Sequence, residues 1–145
     1  MNAKETLNQY RVLYGKARRY EIRIERLEDS LTKAVEWDGS PRSTTPGNPT
    51  EQNALKLVEL SEKLKAIKIE CELQAQLIAD KIEKVKDPRY KELLFSRYIM
   101  LLPWEDVAVR VTLACRPYKD YDEKHIQSYM HARALKEFEE VMKGD

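Results

Sequence analysis

Short and polar side chains share one side of the last predicted helix, which runs from about residue 124 to residue 142. At about 100° per residue, this side contains His125, Ser128, Tyr129, Ala132 and Lys136. Short or polar side chains near a helix N-terminus can enter the DNA major groove and touch base edges. Arg133 borders this face and can reach a phosphate. These six residues are candidate DNA contacts.

The opposite side of the same helix is apolar and predicts contact with a core. It is formed by Gln127, Met130, His131, Ala134, Leu135, Phe138 and Val141. His131 lies among these residues, which indicates a packed core histidine. An ordinary amphipathic helix with a solvated face would show the same pattern. The preceding predicted helix, Trp104–Val111, favours the DNA hypothesis, because it has the length of a helix that lies across a recognition helix.

Enzyme chemistry finds little support in the sequence. His125 and His131 are six positions apart, so they point to different sides of one helix and cannot share a metal ion. Cys71 and Cys115 show no metal-ligand spacing, and there is no glycine-rich phosphate loop. We therefore expect a protein that is not an enzyme, with no metal and no cofactor.

The first part of the chain predicts two long helices, at about 3–36 and 51–86. Apolar residues recur at spacings of three and four from Tyr10 to Ala34, which is the seam of a coiled coil. The second helix carries a similar seam, and a further apolar set widens it, which suggests more than one neighbour. Segment 37–50, rich in Pro and Gly, predicts a flexible loop. The expected fold is all-α, with a long two-helix antiparallel hairpin. The same seams can join two chains, so a homo-oligomer is also expected.

Basic residues cluster in the first helix and are candidate phosphate or partner contacts. They are Arg11, Lys16, Arg18, Arg19, Arg23 and Arg26. Glu21 and Glu25 lie among them and are expected to neutralise part of this charge. Residues 1–36 carry a net charge of +2, whereas residues 87–145 carry −1. A domain that binds DNA through many phosphates usually has a clearer basic excess, so this balance counts against DNA binding.

The C-terminal third has an order of motifs that is found in a known family. It reads DPRYKELLFSRYIMLLPWEDVAVRV and then KHIQSYMHARALKEF, with RY at 97–98, WEDVA at 104–108 and HARAL at 131–135. This resembles region four of bacterial sigma factors, and it is similar to phage late-transcription regulators of the ArpU and RinA type. The resemblance implies a helical hairpin at 1–86, a sigma-like helix-turn-helix module at 87–145, and transcriptional regulation through double-stranded DNA.

One segment departs from that family pattern. Residues 112–123 separate the two helices of the motif without a glycine, where sigma-like modules have a short turn. The insertion can form a wing, or it can indicate that the module has lost DNA binding and contacts a protein. Host RNA polymerase, or another host protein, is therefore an alternative partner. A small terminase subunit of a phage is a weaker third hypothesis.

Composition excludes several other classes of protein. Hydrophobic residues make up 42% and charged residues 35%, which is too apolar for a disordered charged tail and too charged for a membrane protein. No run of about 18 apolar residues exists, so no membrane contact is expected. The first residues lack the apolar core of a signal peptide. We expect a cytoplasmic protein of a bacterial host cell.

Overall fold

The computed structural model describes residues 2–36, 49–114 and 122–144. The predicted loop at 37–50, apart from its last two residues, and most of the 112–123 insertion lie outside these ranges. Within them all regular structure is helical and no strand occurs. The all-α prediction is confirmed. None of the helices in these ranges is both long and apolar enough to cross a membrane.

The helices follow the predicted order closely. The two long ones are α1 (Ala3–Glu36) and α2 (Pro49–Glu83). Next, α3 (Pro88–Leu94) continues into a π-helical turn (Phe95–Ile99), and α4 (Trp104–Ala114) follows. Finally, α5 (Glu123–His125), a π-helical turn (Ile126–Met130) and α6 (His131–Gly144) run on without a break. We call 88–99 the first trio helix, α4 the second trio helix and 123–144 the C-terminal helix, and we refer to these three together as the trio helices.

Contacts divide the chain into two compact units, of which the first is Met1–Val12 with Cys71–Asp145. Its core combines the start of α1, the end of α2 and the three trio helices. The largest fully buried side chains are Phe138, Leu7, Ile78, Ile82, Leu93, Leu94, Ile126 and Met130. The start of α1 thus packs into the core of the C-terminal third. The domain boundary expected at residue 86 stays a prediction.

The second unit is Leu13–Glu70 and contains parts of the two long helices. Along α1, Ala17 and Ile24 of the predicted seam are buried, and on α2 the seam residues Leu60 and Ile67 are buried. Glu21 and Lys68 form an ion pair between the helices, with 3.5 Å between Oε1 and Nζ. The predicted seams are therefore the sides along which α1 and α2 pack.

The further apolar set on α2 lies mostly outside these contacts. Of that set, Ile82 is fully buried. The others are more than half exposed: Leu55, Val58, Ile69, Leu73 and Leu77. Within the described chain these side chains therefore have no core to fill, although the sequence predicted a second neighbour for them.

The start of α1 provides a test of the first unit. Leu7 is fully buried, whereas Val12, five residues later on the same helix, is 66% exposed. We expect Leu7→Ala to lower the free energy of unfolding by about 2–5 kcal/mol, because it leaves a cavity in the core. Val12→Ala should change it by less than about 0.5 kcal/mol. Urea unfolding measures both, and equal losses would contradict the packing of α1 against the trio helices.

Candidate nucleic-acid interface

The first trio helix is fixed at its start by carboxylates from two directions. Asp87 accepts a hydrogen bond from the backbone N–H of Arg89 at 2.9 Å, and its carboxylate pairs with the Arg89 guanidinium at 2.8 Å. The hydrogen bond from Arg89 holds the pKa of Asp87 below its usual range. Glu137 of the C-terminal helix accepts from the backbone N–H groups of Lys86 and Asp87, each at 3.2 Å. This contact ties the C-terminal helix to the start of the first trio helix.

A tight turn joins the first trio helix to α4. Leu101 has φ 58°, in the left-handed region that bulky residues rarely adopt because it is strained. The N–H of Leu102 donates to the Ser96 carbonyl at 3.1 Å, and the Arg97 guanidinium donates to the Leu102 carbonyl at 2.9 Å. These bonds hold the strained turn in place. They therefore fix the angle between the two helices.

A polar chain crosses the same helix pair farther from the turn. Ser96 is fully buried, and its hydroxyl donates to the Glu92 carboxylate at 3.1 Å. The same carboxylate oxygen pairs with the Arg110 guanidinium of α4 at 2.9 Å. The buried hydroxyl is thus satisfied, and the pairing adds a directional contact between the first trio helix and α4.

An aromatic node joins the C-terminal helix to both of the others; we define it as Arg97, Tyr98, Trp104 and His131. The Arg97 guanidinium lies 4.5 Å from the centre of the Trp104 ring, and Trp104 meets the His131 ring edge-on at 4.8 Å. The Tyr98 hydroxyl shares a hydrogen bond of 2.6 Å with Nε2 of His131. His131 therefore packs against its neighbours, as predicted, but it is half-buried and not part of the buried core.

Burial sets the protonation state of the node. It lowers the pKa of His131 to about 4, with smaller contributions from the positive charges of Lys4 and Arg97. Burial also raises the pKa of Tyr98, so its hydroxyl keeps its proton. The imidazole is therefore neutral at pH 7. His131 is a positioning residue, because it fixes the C-terminal helix through Tyr98 and Trp104.

The six predicted DNA contacts all lie on exposed parts of the C-terminal helix. They are His125, Ser128, Tyr129, Ala132, Arg133 and Lys136. Three of them contact one another. The centres of the His125 and Tyr129 rings lie 5.1 Å apart, and the Arg133 guanidinium lies over the Tyr129 ring, 4.5 Å from its centre. We call these three residues the exposed stack. It restricts side chains that would otherwise move freely in solvent.

Two hydrogen bonds order the start of the C-terminal helix. The Asp122 carboxylate caps it by accepting from the backbone N–H of His125 at 2.7 Å. The Ser128 hydroxyl donates to the Lys124 carbonyl one turn earlier, at 2.6 Å. Because its proton is used inside the helix, Ser128 offers a lone pair rather than a donor to a ligand.

The predicted apolar side of this helix needs one correction. Gln127 is exposed, and the position expected for it in the core is taken by Ile126, which is fully buried. A π-helical turn covers Ile126–Met130 and widens the helix, so the apolar side shifts by one position. Lys124 is exposed as well, near the helix start. Ile126 lies outside the predicted apolar side, although it is the most apolar residue in that stretch.

The predicted basic patch on α1 is divided between the two units. Arg11 is half-buried in the first unit, and its positive charge contributes to a lowered pKa of Arg97, whose largest cause is burial. The other five are exposed in the second unit: Lys16, Arg18, Arg19, Arg23 and Arg26. Arg18 pairs with Glu21 at 3.0 Å, which confirms the expected neutralisation by Glu21.

The described residues show no candidate metal centre. In the ranges 2–36, 49–114 and 122–144, no three His, Cys, Asp or Glu side chains come together in a group that could hold an ion. Cys71 is buried on α2, as expected for a small apolar residue. The absence of a cofactor and of enzyme activity stays a prediction.

The aromatic node predicts a pH dependence of stability. Unfolding restores the ordinary pKa of His131, so the unfolded state binds a proton between pH 6.5 and about 4 and the folded state does not. Stability should therefore fall as the pH decreases through this window. His131→Gln should show a shallower fall. Urea unfolding at pH 7 and pH 5 measures the difference, and equal slopes for the two proteins would contradict the buried neutral ring.

Comparison with known proteins leaves the family open. No family model matches the chain, and no match is found among curated proteins or solved structures. The likeness of the C-terminal third to phage regulators of the ArpU and RinA type therefore stays a resemblance of motifs.

Proposed function

We propose that the protein is a phage-encoded transcriptional regulator that binds double-stranded DNA through the exposed side of its C-terminal helix. One observation carries this proposal: all six residues selected for DNA contact are exposed, while Ile126, Met130, Ala134 and Phe138 of the same helix are buried. A recognition helix needs this division, because its outer side must reach base edges while its inner side holds it to the module.

The three trio helices support a helix-turn-helix module. The first trio helix packs on both α4 and the C-terminal helix, and α4 contacts the start of the C-terminal helix. The aromatic node and the Glu137 contacts hold the C-terminal helix from two sides. Such support fixes the outer side of a recognition helix, and in this module α4 takes the place of the helix that crosses the DNA backbone.

The exposed side offers chemistry suited to both parts of a DNA site. In the proposal, Ser128 and Tyr129 contact base edges. The Ser128 hydroxyl accepts from a base amino group, because its proton is donated to the Lys124 carbonyl, whereas the Tyr129 hydroxyl can donate or accept. Arg133 and Lys136 contact phosphates. Stacking on Tyr129 orders the Arg133 guanidinium before binding, so less conformational entropy is lost when it pairs.

The proposed architecture of the first part is an antiparallel hairpin. Glu21 of α1 pairs with Lys68 of α2, and farther along α1 Leu27 lines one cleft with Leu60. Residue numbers rise along α1 while they fall along α2, which is the direction of antiparallel helices. This order supports a hairpin within one chain.

A homo-oligomer is part of the proposal. Helix-turn-helix proteins commonly bind two half-sites as dimers, so a second copy is the natural partner. In the second unit, Leu55, Val58 and Ile69 are exposed on α2 at spacings that place them on one side of it. Exposed apolar side chains on one side of a helix are available for contact with a second copy.

Sedimentation tests this assembly. Ile69→Glu places a charge on the exposed side of α2, and we expect it to lower the sedimenting mass to that of one chain. Glu70→Gln, at the neighbouring exposed position, is the control and should keep the wild-type mass. A wild-type protein that sediments as a single chain at all concentrations would remove the oligomer from the proposal.

A second candidate function is favoured by the charge of the module. Residues 87–145 carry a net charge of −1, and Asp122 and Glu123 are exposed at the start of the C-terminal helix. These carboxylates would repel phosphates there. The alternative is an interaction module that binds host RNA polymerase or another host protein without its own DNA site.

Variants of the C-terminal helix separate the two functions. Ser128→Ala combined with Tyr129→Ala should keep the melting temperature, because both side chains are exposed. It should lose preference for a site selected from random duplex DNA by about tenfold or more, since each base contact contributes about 1–3 kcal/mol of discrimination. Gel shifts at two salt concentrations measure this preference.

Two further variants serve as controls in the same assay. Lys136→Ala should weaken binding to all sequences alike and reduce the salt slope by about 1, as a phosphate contact does. Phe138→Ala removes a fully buried ring and should cost about 3–5 kcal/mol of stability. If the wild-type protein shows no preference for any DNA site, the proposal of sequence-specific DNA binding is wrong. The interaction module is then the remaining candidate function.

A further inference from the structure

A cleft with positive walls and an apolar floor lies between α1 and α2 inside the second unit. Its volume is about 430 Å³, and its lining comes from both helices: Arg23, Arg26, Leu27, Lys56, Glu59, Leu60 and Lys63. This volume falls in the range of small-molecule binding pockets, about 300–1,000 Å³. None of its lining residues belongs to the proposed DNA-binding side of the C-terminal helix or to the trio helices.

The walls carry four cations and one carboxylate. Glu59 pairs with Lys63 at 3.1 Å, so this carboxylate is already engaged. The guanidinium carbon of Arg23 lies 5.3 Å from the centre of the Tyr20 ring. In the described part of the chain, no carboxylate pairs with Arg23, Arg26 or Lys56. The cleft therefore has an unmatched positive charge that favours an anionic ligand.

The floor restricts which anion fits. Leu60 is buried and Leu27 is half-buried at the base of the cleft. A phosphate group has only charged oxygens to set against these leucines. A peptide with acidic residues can place carboxylates against the guanidinium groups, with two parallel hydrogen bonds each, while an adjacent apolar side chain covers the leucines.

We propose that this cleft binds an acidic peptide segment that carries an apolar side chain and belongs to a partner protein. The protein then has a protein-binding site on the long helices besides the proposed DNA-binding side of its C-terminal helix. The two sites use different residues. The peptide site therefore stands or fails independently of DNA binding.

Fluorescence anisotropy tests the proposal with a defined probe, a short fluorescein-labelled peptide of glutamates with two leucines. Arg26→Glu combined with Lys56→Glu reverses two exposed cations of the cleft and should weaken peptide binding by about tenfold or more. Lys16→Glu combined with Arg19→Glu makes the same change of net charge on exposed α1 positions outside the cleft, and it should keep wild-type affinity.

Probe variants separate the contributions of charge and floor. A peptide with Gln in place of Glu should lose binding, and a peptide without Leu should bind several-fold more weakly. Equal weakening in the two charge-reversed proteins would overturn the proposal, because it would show attraction to the overall charge. Displacement of the peptide by random duplex DNA from the wild-type protein would overturn it in favour of a phosphate site. Absence of any peptide binding would also overturn it.

Gln variants keep the result interpretable if charge reversal disturbs the helices. Arg26→Gln combined with Lys56→Gln should weaken peptide binding in the same direction, with an unchanged melting temperature. Site preference on DNA should be unchanged in all these proteins, because the proposed base contacts lie on the C-terminal helix and a phosphate contact on α1 would change the affinity for all sequences alike. If the Arg26 and Lys56 variants lost preference for a DNA site but kept wild-type affinity for the peptide, the cleft would not be a peptide-binding site.

Discussion

The burial of the His131 ring between Tyr98 and Trp104 is the contact on which the C-terminal module depends. Tyr98 belongs to the first trio helix and Trp104 begins α4, so one side chain of the C-terminal helix contacts both of its neighbours. Arg97 extends this node to the strained turn at Leu101. The outer side of the C-terminal helix is therefore oriented by contacts made on its inner side. A shift in the node would rotate the exposed stack with it.

Most of the fold follows from periodicity in the sequence. The alternation of three and four from Tyr10 to Ala34 marks the side of α1 that is buried, and Asp87 and Pro88 mark the start of the first trio helix. Such signals are local, because a helix has a fixed period and a cap has a fixed chemistry. The exposed side of the C-terminal helix was likewise predictable, since amphipathicity determines which residues face the core.

Other features depend on tertiary contacts that the sequence does not encode locally. Leu7 lies before the clear seam of α1, and only its contact with the trio helices makes it a core residue. Ile126 faces the core in the position predicted for Gln127, because a π-helical turn covers this part of the helix. Such a turn has no simple sequence signal. The cleft near Arg26 and Lys56 combines residues from two helices, and their meeting depends on the register between α1 and α2.

Charge places a last constraint on how such a module can bind DNA. The exposed side of the C-terminal helix carries the cations Lys124, Arg133 and Lys136, while Asp122 and Glu123 lie at its start. Few phosphates can be neutralised by this set, so the release of counterions supplies little affinity. Binding energy must then come from base contacts, from a second copy, or from a partner protein that is itself held on the DNA. If the protein binds DNA as proposed, assembly would raise its affinity, because each added module contributes through effective concentration rather than through charge. The exposed apolar side of α2 and the basic cleft are the surfaces on which such assembly can take place.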